Sequence, residues 1–153
     1  PYYPAYYEGR TEIEGIRDYF ESILENVTLI DDFDVYGHLD YVVRYCPSGE
    51  KIFRMSDYKE VFEQIFKEII PKGKGIEINT GSLYKNMSYA HPHMDILKLY
   101  KDMGGEIITV GSDAHKPEYL CYDFETYARD ALTSLGYRYY CTFKNRKPEF
   151  NPL

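Results

Sequence analysis

Apolar residues recur along this chain with two different periods. In TEIEGIRDYFESILENV they stand at positions 13, 16, 20, 23, 24 and 27, which is one face of a helix. Thr11 with Glu14 forms a capping-box start, so the spacing predicts a helix over 11–27. SDYKEVFEQIFKEIIPKGKG repeats the pattern at 58, 61, 62, 65, 66, 69 and 70, with Asp57 and Glu60 as cap and partner and Pro71 and Gly73 as the stop. HPHMDILKLYKDMGG reads as a third helix, with a proline near its first turn and Gly104–Gly105 after its end. DFETYARDALTSLGY reads as a fourth, stopped by Gly136. Between the helices lie short β-branched and apolar runs: FDVYGHLDYVVRY with a strand core near 34–38, then GIEINT, EIITVGS and finally RYYCTFKNR.

The predicted order is α, β, α, β, α, β, α, β. Such alternation implies the α/β class, with parallel strands and helices outside them. In such folds the chemistry gathers at the C-terminal ends of the strands. The polar residues of this chain fall there: His38 and Asp40, Glu77 and Asn79, Asp113 and His115.

Composition narrows the class. A chain of 153 residues can bury one core, and 44% hydrophobic with 28% charged residues fits a soluble globular domain. A net charge of −7 argues against nucleic acid or an anionic membrane as the main partner, while leaving a small anionic substrate open. No apolar run approaches the roughly 20 residues that span a bilayer, and no targeting segment opens the chain. The three cysteines are widely spaced and read as free thiols in a reducing cytoplasm. Eighteen tyrosines without a tryptophan suit half-wet surfaces, covering core edges or forming an interface.

His38 and Asp40 are two apart in GHLD, and Asp113 and His115 are two apart in GSDAH. In extended backbone each pair points to one side. Imidazole and carboxylate are the usual ligands of zinc, manganese and iron. Each motif alone also reads as a satisfied histidine or a helix-capping aspartate, but two such strand ends reinforce one another. Glu77 could bind a second metal or orient a ligand, and Asn79 could hold substrate. Arg44 is a natural fork for phosphate, and Lys85 a weaker candidate. His91 and His93 form a His-x-His pair, but a helix entry does not keep residues two apart on one side, so a structural or surface place is expected.

DFDVYGHLDYVVRY, GKGIEINTGSLYK and GGEIITVGSDAHKPE, in that order, resemble the PHP superfamily (polymerase and histidinol phosphatase), in its histidinol-phosphatase branch. The resemblance implies the C-terminal portion of a distorted (βα)7 barrel, a single partial domain over residues 1–153. It implies two or three divalent transition metals in the intact enzyme, with His38, Asp113 and His115 as ligands. Arg44, Asn79 and Lys85 would bind substrate, and Asp113 and Asp40 would act catalytically, Asp40 as a proton donor to the leaving group. The substrate implied is a small phosphate monoester, histidinol phosphate, on the way to histidine. The His-x-His that opens such enzymes is absent from this sequence. A half barrel would expose two sheet edges, so pairing with another copy or with a missing half is expected. The alternative is a non-catalytic remnant that works through self-association or a partner chain.

Overall fold

The computed structural model describes residues 4–153. Its helices follow the apolar periodicity closely. Helix α1 runs Glu12–Leu29. Thr11 caps it, accepting from the Glu14 N–H while Glu14 reaches back to the Thr11 N–H. Helix α2 spans Met55–Ile69, two residues earlier than the expected cap. Asp57 therefore lies within the first turn, where it favours the positive helix end, and the N-cap residue is Arg54. The two helices pack through a ring cluster. Phe20 lies 4.6 Å from Phe62 and 5.1 Å from Tyr58, centroid to centroid, and all three are buried. Helix α3, Met94–Asp102, joins the same core through Tyr100 against Phe66.

The α/β expectation holds for the first three strands. Strands β1 (Val35–Tyr36), β2 (Gly75–Asn79) and β3 (Ile108–Gly111) form a parallel sheet with β2 in the middle. Ile76, Ile78 and Ile108 are wholly buried, while Glu77 is only partly so. The period-two face of β2 thus turns its isoleucines to the helices and Glu77 to the other side.

The C-terminal part departs from simple alternation. The fourth helical segment opens with a π turn, Phe124–Ala128, and becomes α-helix α4 only at Arg129–Ser134. The last predicted strand is not parallel. Strand β4 (Tyr139–Lys144) pairs antiparallel with β5 (Lys147–Pro152) in a separate hairpin. Asn145 and Arg146 form its two-residue loop, both with positive φ, as the twist of a tight hairpin requires. Pro148 and Pro152 hide β5 from a strand pattern, because proline is tolerated only where no ladder N–H is needed. Arg146 holds the hairpin tip to Asp32 and Asp34, just before β1. β4 also packs against β3, so one of the two sheet edges expected to be open is flanked.

Tyr6 and Tyr7 pack onto α1. The Tyr6 hydroxyl donates to the Gly15 carbonyl at 2.6 Å, and the Tyr7 ring takes the space a Gly15 side chain would need. These tyrosines cover a core edge. Tyr2 and Tyr3 lie outside the described residues.

Candidate functional site

The rim of the sheet is organised around Glu77. Its carboxylate sits between Gly37, just past β1, and Gly111, the last residue of β3. A Cβ on Gly37 would stand 2.9 Å from Glu77 Oε2, and one on Gly111 would collide with Oε1. Both flanking strands lack a side chain at the one place where this carboxylate needs room. Asn79 donates its amide to Glu77 Oε2 at 3.3 Å and accepts from the Gly81 N–H at 2.9 Å. Asn79 is buried and both ends of its amide are engaged, so it fixes Glu77 and the following turn.

His38 faces this carboxylate, with Nδ1 3.9 Å from Oε2. Its backbone has φ +58°, a left-handed conformation uncommon for histidine. Three contacts hold it there: the Tyr19 hydroxyl donates to its carbonyl at 2.8 Å, the Tyr41 ring lies edge-on at 4.8 Å, and the Tyr41 N–H bonds to the same carbonyl. The left-handed turn breaks the rule of alternate sides. Asp40 does not join His38 at the rim but points into the protein, with no exposed surface. His91 Nδ1 shares a 2.6 Å hydrogen bond with Asp40 Oδ1, and the His93 N–H donates to Oδ2 at 2.8 Å. Asp40, expected as proton donor to substrate, has both its oxygens engaged and no exposed surface. His91 belongs to this buried pair. His93 caps α3, accepting from the Asp95 N–H.

Asp113 also has a left-handed backbone, φ +51°, fixed by the Tyr84 hydroxyl donating to its carbonyl at 2.7 Å. Its carboxylate lies 3.9 Å from His115 Nε2 and 3.5 Å from Lys85 Nζ. His115 is 83% exposed. Arg44 lies 5.5 Å from the ring centroids of both Tyr41 and Tyr45, whose hydroxyls bond each other at 2.8 Å. Among the described residues no carboxylate pairs with Arg44, and it lines a cleft of about 340 Å³ with Lys51 and Asn86. The Tyr84 hydroxyl senses both sides. Burial raises its pKa most, Asp113 raises it further, and Arg44 opposes them. Tyr41 and Tyr45, flanking Arg44 at three before and one after, are the site residues that sequence reasoning passed over.

Nitrogen and carboxylate donors of these kinds suit zinc, manganese or iron. The carboxylates of Glu77 and Asp113 and the imidazoles of His38 and His115 fit such an ion by donor type. Among the described residues the donors stand as two pairs, His38 with Glu77 and Asp113 with His115, and no group of three or more is gathered.

The PHP domain family model matches residues 1–81, more than half of the 153. The chain belongs to the PHP domain family. A histidinol-phosphatase of Lactococcus lactis subsp. lactis is 30% identical to this PHP chain over 148 residues, which is 95% of the chain and 54% of that protein. A probable histidinol-phosphatase of Thermotoga maritima is 31% identical over 134 residues, 88% of the chain and 54% of that protein. The crystal structure of the Lactococcus lactis histidinol phosphate phosphatase, complexed with zinc, L-histidinol and phosphate, superposes with a TM-score of 0.75 at 27% identity. That match covers 94% of this chain and 54% of the other. The PHP chain thus spans about half the length of the relatives it matches. Among the described residues no helix is long and apolar enough to cross a membrane.

Proposed function

We propose that this chain is one partial PHP domain of a metal-dependent phosphomonoester hydrolase whose substrate is histidinol phosphate, in histidine biosynthesis. The observation that carries the reading is the rim itself: two His–carboxylate pairs at the ends of three adjacent parallel strands, with Lys85 against Asp113 and Arg44 over Tyr41, the ring that meets His38. The relatives named histidinol-phosphatase, one of them solved with zinc, L-histidinol and phosphate, support the substrate class.

His38, Asp113 and His115 would hold metal, with Glu77 as a further donor or the group that orients His38. Zinc, manganese or iron suits these donors, two or three ions in the whole enzyme. When bound, such ions supply Lewis acidity that makes water nucleophilic near neutral pH and neutralises phosphoryl charge. Arg44 offers a planar fork to two phosphate oxygens, with the Tyr41 and Tyr45 rings 5.5 Å from its guanidinium carbon. Lys85 adds a point charge to the same anion. Asp113 can also accept a proton from the attacking water. Asn79 and Asp40 act by position: Asn79 aims Glu77, and Asp40 ties the loop after β1 to the 91–93 loop. The three free cysteines support a cytoplasmic setting.

One observation favours a second reading, that this stretch alone is a metal-binding remnant: among the described residues its donors come as two pairs and no group of three. Further donors would then come from another stretch of polypeptide, a partner chain or a second copy. Phosphate release from a panel of monoesters by the metal-loaded, full-length protein tests the substrate. Preference for histidinol phosphate supports the proposal, preference for a nucleotide or sugar phosphate replaces the substrate, and no release from any ester favours the remnant.

A further inference from the structure

Lys85 stands where a metal ion would have to compete with it for Asp113. Its ammonium lies 3.5 Å from Asp113 Oδ2, against the carboxylate proposed above as a metal donor, and both side chains are about two-thirds buried. We propose that Lys85 is a charge placeholder: it neutralises Asp113 while no metal is bound, and a divalent cation that takes Asp113 releases the lysine to a phosphate anion. The inference rests on the metal reading and adds an order of events to it.

The charge count at the rim supports it. Glu77 and Asp113 contribute two negative charges and Arg44 and Lys85 two positive ones, while Glu50 and Lys51 of the Arg44 cleft cancel, so the metal-free rim is balanced. One divalent cation then leaves a surplus of two positive charges, which matches the dianion of a phosphate monoester. The two cations are held differently. Arg44 lies 5.5 Å from the centroids of two tyrosine rings and forms no ion pair among the described residues, in a cleft that it shares with Glu50 and Lys51. Lys85 ends the 3-10 turn Thr80–Lys85 and carries its charge on a flexible four-carbon stem, 5.3 Å from the Tyr84 ring centroid. A point charge on such a stem can move between two anions without giving up a bidentate geometry. The consequence is linkage: metal and phosphate each raise the other's affinity by the same factor, and part of that factor runs through Lys85.

The test is calorimetric titration of the full-length protein with Mn²⁺, with and without inorganic phosphate, in wild type, Lys85→Met and Lys85→Arg. Thermal melts establish that each variant is folded. The methionine variant loses the competitor for Asp113, so it should bind Mn²⁺ about two- to fivefold tighter, the range for a partly exposed ion pair. Phosphate should strengthen its Mn²⁺ binding less than in wild type, and the arginine variant should retain both wild-type behaviours. Equal or weaker Mn²⁺ binding by folded Lys85→Met, or an unchanged effect of phosphate, overturns the placeholder. A wild-type protein that binds no Mn²⁺, Zn²⁺ or Fe²⁺ overturns the metal reading and the placeholder together, and so separates the two failures.

Discussion

Alanine at Gly111 probes the slot that places Glu77. The substitution adds one methyl, and the backbone there is not in a left-handed conformation, so the change acts through space alone. That methyl would collide with Glu77 Oε1. Any retreat of the carboxylate disturbs the hydrogen bond that Oε2 accepts from the Asn79 amide at 3.3 Å and its 3.9 Å approach to His38 Nδ1. Relief of the overlap to an ordinary contact of about 3.5 Å requires Glu77 to move by roughly 1 Å. Displacement of that size in a catalytic constellation costs on the order of 10²-fold in rate, and overpacking costs about 1–3 kcal/mol in stability. Gly75→Ala is the matched control. Its Cβ would fall 2.5 Å from Ile107 Cγ2, at the opposite end of β2, so it should cost stability while a folded variant keeps its turnover. The assay is phosphate release by metal-loaded protein, with a urea melt to confirm folding. A folded Gly111→Ala protein with the wild-type rate would refute the role given to Glu77.

Other outcomes follow from the same packing. His91→Leu removes the partner of a fully buried carboxylate and should cost about 3–5 kcal/mol in urea unfolding, with partial recovery in Asp40→Asn/His91→Leu. Phe20→Ala opens a hole between Phe62, Tyr58 and Phe53 and should cost about 3–5 kcal/mol by the same measurement. The pKa values of Glu14, Asp31, Asp32 and Glu50 are lowered, by hydrogen bonds from Thr11, Lys72, Arg146 and Ser88 respectively. A lowered folded pKa gives stability that is complete above the unfolded value, near 4, and is lost as pH falls through the folded value. The melting temperature should therefore drop below about pH 4, and Glu50→Gln should make that drop shallower.

The parts legible in the sequence are those that local patterns control. The apolar faces of α1 and α2, the Thr11–Glu14 cap and the buried isoleucines of β2 and β3 follow from period and capping alone. Long-range contacts decided the rest. Spacing of two puts side chains on one face only in extended backbone, and His38 and Asp113 are both left-handed. That conformation sends Asp40 inward to His91, a partner 51 residues away that no local pattern announces. Gly37 and Gly111 could have been read together as room for one large side chain, since both border β2 at its rim end. The hairpin was hidden by the prolines of β5 and by a turn held open through Arg146 and distant aspartates.

The central claim is that the rim of this sheet is half of a metal-dependent phosphatase site. Its most direct test is phosphate release from histidinol phosphate by the full-length protein before and after exhaustive chelation, with metal per chain measured in the same samples. The account predicts that release falls to background on chelation and returns with zinc, manganese or iron, and that Asp113→Ala and His38→Ala lower both metal content and release. Full release from metal-free protein would contradict it.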